Sequence, residues 1–131
     1  MFVLDTNTLI YFFKGMGRVA QKLLACPPKD IGLPTIVLFE LSVGILKSTS
    51  PEKRTHQLDQ LSEVVNILPF GSDEAGCAAG IRADLELKGC PIGPYDILIA
   101  ATALSHNDTL VTHNVKAFSR IKDLRIEDWY D

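Results

Sequence analysis

Phe2-Val3-Leu4-Asp5-Thr6-Asn7-Thr8-Leu9-Ile10-Tyr11-Phe12-Phe13, residues 2–13, sets the frame into which the rest of the chain fits. Two apolar runs flank a polar step. The first run is too short for a helix core, so it reads as a short buried strand. Asp5 then stands at the strand's carboxyl end, where open α/β sheets place their ligands. Thr6 and Asn7 are good capping residues for the helix expected over Thr8–Phe13. Taken alone, Asp5 has an equally good explanation as a cap or turn residue, because Asx side chains are common at strand-to-helix turns. What separates the two is whether other carboxylates reach the same place.

Outward from this stretch, short apolar runs alternate with helical patterns. Residues 16–25 form a helix that Pro27-Pro28 stops. Ile31-Gly32-Leu33 is a strand closed by Pro34, and Thr35 is the expected N-cap of the next helix. That helix, Ile36–Leu46, is apolar nearly all round, which predicts burial on several sides. Glu40 is its one charge before Lys47. The segment Glu52–Val65 is amphipathic, with Leu58, Leu61 and Val65 at helical spacing. Ile67-Leu68 is a third strand. Ser72 caps a long helix through Leu87, with Gly89 as its stop. Pro94 suits the first turn of an apolar helix over Tyr95–Leu104, which places Asp96 at its N-terminus. Thr109–Thr112 is a strand with His113-Asn114 at its carboxyl end. A short helix over Val115–Ile121 and an edge strand over Leu124–Ile126 complete the pattern. This is an α/β sandwich around a mostly parallel sheet, expected as one domain over residues 1–131.

Bulk properties narrow the class. The chain has 131 residues, 47% of them hydrophobic, so disorder is excluded as the ground state. No apolar run approaches the roughly 20 residues of a membrane span. The apolar start lacks the basic lead of a signal peptide and reads as the first strand. Cys26, Cys77 and Cys90 are odd in number and lack C-x-x-C spacing, which predicts free thiols in a reducing cytoplasm and no zinc site. His56, His106 and His113 are read as surface residues. The net charge of −3 is not that of a protein that coats nucleic acid. It leaves room for an enzyme that acts on nucleic acid through a bound cation.

Three acids sit in apolar frames: Asp5 ends a strand, Glu40 interrupts a helix, and Asp96 opens another. Desolvating a lone carboxylate is costly. Three of them in an alternating α/β chain point to convergence on one pocket. Their repulsion would raise their proton affinities unless a cation neutralised them. A hard cation with oxygen ligands, Mg²⁺ or Mn²⁺, matches that donor set. Asn114, at the end of strand 109–112, is the fourth candidate. Its side-chain oxygen, or the Thr112 hydroxyl, is placed to hold a cation's water.

Asp5-Thr6-Asn7 after a strand, Glu40 in an apolar helix, Asp96 before Ile-Leu-Ile-Ala-Ala, and Leu110-Val111-Thr112-x-Asn114 followed by Phe118 resemble the PIN-domain ribonucleases. Within them the chain is similar to the VapC toxins of toxin–antitoxin pairs, over essentially its whole length. Its ending, Leu124-Arg125-Ile126-Glu127-Asp128-Trp129, resembles the subgroup that cuts initiator tRNA in the anticodon stem-loop. The resemblance implies a three-layer α/β/α sandwich with a parallel sheet of about four or five strands. It implies Asp5, Glu40 and Asp96 as the acidic, Mg²⁺-binding triad. It further implies a homodimer, silenced by a VapB-type antitoxin whose C-terminal segment covers the active site. Many PIN domains carry a fourth acid where this chain has Asn114, and that departure puts a tightly held second metal in doubt.

These residues predict metal-dependent hydrolysis of an RNA phosphodiester. Asp5 and Asp96 bind the cation, Glu40 binds it or orients water, and Asn114 helps hold the hydrated ion. No Ser-His or Cys-His pairing and no P-loop pattern offers a different chemistry. The rival expectation is a PIN-like module that binds RNA or a partner without cutting. An aspartyl-phosphatase reading of Asp5 would want a second Asp where Asn7 stands.

Overall fold

The computed structural model describes residues 1–131. In chain order its elements are β1 (Phe2–Leu4), α1 (Thr6–Lys14), α2 (Val19–Leu24), a single 3₁₀ turn at Pro28–Asp30, β2 (Ile31–Pro34), α3 (Thr35–Leu46), α4 (Pro51–Val64) and β3 (Asn66–Leu68). Then follow α5 (Ser72–Leu87), α6 (Pro94–Ser105), β4 (Thr109–Val111), α7 (Val115–Phe118) and β5 (Arg125–Glu127). The sheet order is β3-β2-β1-β4-β5 and every pairing is parallel, with helices on both faces. The expected three-layer α/β/α sandwich is therefore what forms.

The topology positions the site. From β1 the chain builds outward through β2 and β3, then returns to lay β4 on the other side of β1. The crevice between β1 and β4 is thus the point where strand order reverses, and ligands bind at such switch points, beyond the strands' carboxyl ends. Val3 and Leu4 on β1, Leu33 on β2 and Leu110 and Val111 on β4 are fully buried. Both faces of the central strands are covered, which is why these short strands read as continuous apolar runs rather than alternating ones. Trp129 closes the β5 side, buried and tilted against Phe2 at a centroid distance of 5.3 Å.

Several local expectations shift. Thr35 is the first residue of α3, not its cap; the cap position belongs to Pro34, which ends β2 in extended backbone and offers no side-chain acceptor. Ser72 likewise opens α5 after Gly71, and the cap bond there runs from Gly71 N–H to Glu74 Oε1 at 2.7 Å. The helix expected over 16–25 starts only at Val19, because Gly17 takes a left-handed φ of +63°. The one expected over Val115–Ile121 stops at Phe118. The largest difference is α3. Its all-round apolar character predicted burial on several sides, yet only Val37 and Leu41 are buried while Phe39 and Leu46 are exposed. Uncovered apolar surface of this kind marks an interaction face.

Gly17 also fixes the chain's end. A Cβ there would lie 2.7 Å from the backbone oxygen of Tyr130, and the backbone conformation is one L side chains rarely adopt. Gly17→Ala is expected to cost about 1–3 kcal/mol of stability, read as a lower urea midpoint with an unchanged slope.

Candidate active site

Asp5 is held from three directions. Parallel pairing of β1 with β4 lets its N–H bond Val111 O at 3.2 Å. Its Oδ1 accepts the Thr8 N–H at 2.9 Å, so Asp5 itself is the N-cap of α1; Thr6 and Asn7 lie inside the helix. The buried Thr112 side chain stands beside the same carboxylate and favours its charged form. The Asp5 side chain is buried, and burial pushes its proton affinity above the ordinary carboxylate value. Thr112 and Thr8 beside it pull against that rise, and the Asp128 charge adds to it. The cap expectation for Asp5 is what forms, and its carboxylate also stands at the carboxyl end of β1, where the strand order reverses.

Glu40 reaches the same region from the middle of α3. Thr6 Oγ1 donates to its Oε1 at 2.7 Å, so the residue after Asp5 orients the second acid. Asp96 comes from the first turn of α6, with Pro94 opening that helix. Its carboxyl is pushed up by burial first, then by the charges of Asp5 and of Glu40. The fold has therefore gathered all three acids. None of the molecule's ion pairs involves any of them. Mutually repelling carboxylates, one buried and two partly so, without a basic partner are the donor set a hard divalent cation fits.

Thr6→Val tests the orienting bond. Cleavage is expected to slow about tenfold while stability changes by less than about 1 kcal/mol; unchanged kinetics would remove Thr6 from the site.

Asn114 follows β4 and occupies the cap position of α7, where its side chain makes no cap bond and is exposed. Its N–H donates to Thr112 Oγ1 at 3.0 Å. Thr112 thus ties the loop that carries Asn114 to the end of β4, beside Asp5. The loop also holds what sequence reading missed. His113 is no free surface residue: its Nδ1 lies 2.9 Å from Asp128 Oδ2. His113, Asp128 and Asp131 are the one group of three such side chains whose ligand atoms all lie within 4.8 Å of one another. Both Asp128 oxygens are engaged internally, Oδ1 by the Tyr130 N–H at 2.9 Å. This cluster is a hydrogen-bonded brace. The Asp5, Glu40 and Asp96 set is more open, which suits an ion that keeps several of its waters. The only signal for the brace in the sequence was Asp128 falling just past the last strand.

From Glu40 a groove of about 250 Å³ runs between α1, α3 and the start of α4, floored by Ile10, Phe13, Leu41 and Ile45, with Lys14 and Arg54 at its rim.

A three-layer sandwich around an all-parallel sheet, with carboxylates drawn to its switch point, is the architecture of a metal-dependent nuclease of the PIN type. The family model described as the PIN domain matches residues 2–124. The tRNA(fMet)-specific endonuclease VapC of Salmonella typhimurium is 35% identical over 128 residues, covering 98% of this chain and 97% of that protein. Ribonuclease VapC2 of Rickettsia felis is 35% identical over 137 residues, covering 98% of both. Among solved structures, VapBC2 from Rickettsia felis bound to a DNA fragment from its promoter superposes with a TM-score of 0.90 at 35% identity, covering 98% of each chain. The chain belongs to the PIN-domain family, in its VapC ribonuclease branch.

Proposed function

We propose that this VapC-type ribonuclease is a one-domain, Mg²⁺-dependent endonuclease that hydrolyses a phosphodiester in the anticodon stem-loop of a tRNA. The gathering of Asp5, Glu40 and Asp96 without a basic partner carries the reading. Asp5 and Asp96 would hold the ion, with Mn²⁺ an acceptable substitute, and Asn114 would anchor its water shell. When bound, a divalent cation supplies charge neutralisation at the phosphate and acidifies water. The chain's own residues do the positioning. The Thr8 N–H holds the Asp5 carboxylate, and Thr6 aims Glu40, which is placed to orient the attacking water. Water adds at phosphorus as the P–O bond to the departing nucleotide breaks, with no covalent enzyme intermediate.

The VapBC complexes among the similar solved structures support a VapB-type antitoxin as partner. Its expected seat is the apolar groove beside Glu40, where Lys14 and Arg54 can meet an acidic peptide. The exposed apolar side of α3, with Phe39 against Tyr95 at 5.7 Å, supports a homodimer. Three unpaired cysteines fit a reducing compartment, the cytoplasm, and no helix is long and apolar enough to cross a membrane.

Incubation with unfractionated tRNA is the test. With Mg²⁺ the protein should release fragments whose new ends map to an anticodon stem-loop, and EDTA should stop the release. Intact tRNA with the ion present would sink the proposal. Cuts in all RNAs alike would sink the tRNA part alone.

A further inference from the structure

Beside the carboxylates, the most firmly fixed exposed ring is His113. One face stacks on Tyr130, with centroids 4.3 Å and planes 25° apart. Tyr11 meets the ring edge-on at 5.9 Å and 84°, and packs against Tyr130 at 4.9 Å. Asp128 takes Nδ1, as above, and Asp128 is itself tied down. Lys22 Nζ donates to its backbone oxygen at 3.4 Å, and the Arg18 N–H holds Tyr130 O at 2.8 Å. The imidazole is thus set from several sides, yet its side chain stays 38% exposed. With one face on Tyr130 and Nδ1 engaged, that exposure falls on the opposite face and the Nε2 edge.

Such fixing does little for folding, because exposed pairs contribute little net stability. It does prepare a flat, immobile aromatic face. The ring follows Thr112 in the chain, and its partner Asp128 is near enough to Asp5 for its charge to raise that carboxyl. It therefore borders the place where the phosphodiester must lie. Single-stranded RNA is gripped by stacking unpaired bases on such rings, with little regard to base identity.

We infer that His113, backed by Tyr130 and steered by Asp128, is a stacking platform for one unpaired RNA base next to the scissile phosphate. The inference rests on the ribonuclease reading and adds a substrate contact to it. It also assigns a task to the chain's last residues: Asp128 and Tyr130 are positioning residues that act through His113.

Binding, separated from cleavage, tests it. Short fluorescein-labelled oligoribonucleotides of A and of U are titrated into protein carrying Asp5→Asn, and anisotropy gives Kd. Adding His113→Ala should weaken both oligonucleotides about tenfold. His113→Phe keeps the ring but loses the bond to Asp128, so it should bind about threefold more weakly than the parent and still more tightly than His113→Ala. An oligonucleotide with abasic sites should bind weakly and not respond to His113→Ala. Equal Kd values for parent and His113→Ala, a His113→Phe protein as weak as His113→Ala, or no binding by the parent at all would each overturn the inference. So would a His113→Ala protein that loses the antitoxin while keeping the oligonucleotides, since the surface would then serve the protein partner. A parent that binds in this pattern yet leaves RNA uncut with Mg²⁺ would overturn the nuclease reading and leave the platform standing.

Discussion

Asp5→Asn is expected to lose about a thousandfold in kcat/KM for RNA with Mg²⁺ present, a transition-state loss of about 4 kcal/mol. The substitution removes one negative charge and almost no volume. Asn Oδ1 can still accept the Thr8 N–H, so the cap of α1 survives. Stability should therefore not fall. Burial raises the Asp5 carboxyl above its ordinary value, which means that the folded, metal-free protein holds the ionised form at a cost. Removing that charge should leave the melting temperature unchanged or raise it. A protein that melts normally and cuts at the parental rate would show that Asp5 is only a cap.

Mg²⁺ should stabilise the parent protein by about 2.7 kcal/mol at a hundred times its Kd, and Asp96→Asn should abolish nearly all of this. The pH dependence follows from the same acids. Asp5 and Asp96 both have folded-state proton affinities raised above the ordinary value of 3.8. The stabilising contribution of each is fully present below that value and is lost as pH rises through the raised folded-state value. Through these groups the metal-free protein loses stability from about pH 4 upward. Mg²⁺ binds the ionised forms, so its stabilising effect should grow over the same interval. Urea unfolding with EDTA and with Mg²⁺, from acid to neutral pH, reads both trends. Asp96→Asn should flatten each of them. A Mg²⁺ effect that shrinks as pH rises, or one that Asp96→Asn leaves intact, would place the ion elsewhere.

Much of this site was legible because a charge inside an apolar run is conspicuous. Asp5, Glu40 and Asp96 each interrupt a segment that otherwise wants to leave water, and burying them apart would have needed three separate partners. Thr6 was ambiguous because a hydroxyl at a helix start has an equally good local use; only its 2.7 Å bond to Glu40, 34 residues away, assigns it. The brace was illegible for a different reason. His113 and Asp128 are 15 residues apart on neighbouring strand ends, and no periodicity links them. The apolar run of α3 misled for a third reason. Hydropathy reports a preference for leaving water and is silent on whether this chain or another molecule covers the surface.

By itself the sequence determined the alternation of strands and helices, the parallel sheet and the identity of the three acids, because these follow from local runs and the cost of burying charge. The tertiary structure alone decided that β4 returns beside β1, and so that Thr112 stands beside Asp5 and His113 meets Asp128. That choice rests on strand pairing between residues more than a hundred positions apart, such as Phe2 with Thr109. Its free energy comes from burying Val3 and Leu4 against Leu110 and Val111, a contact that neither segment records alone.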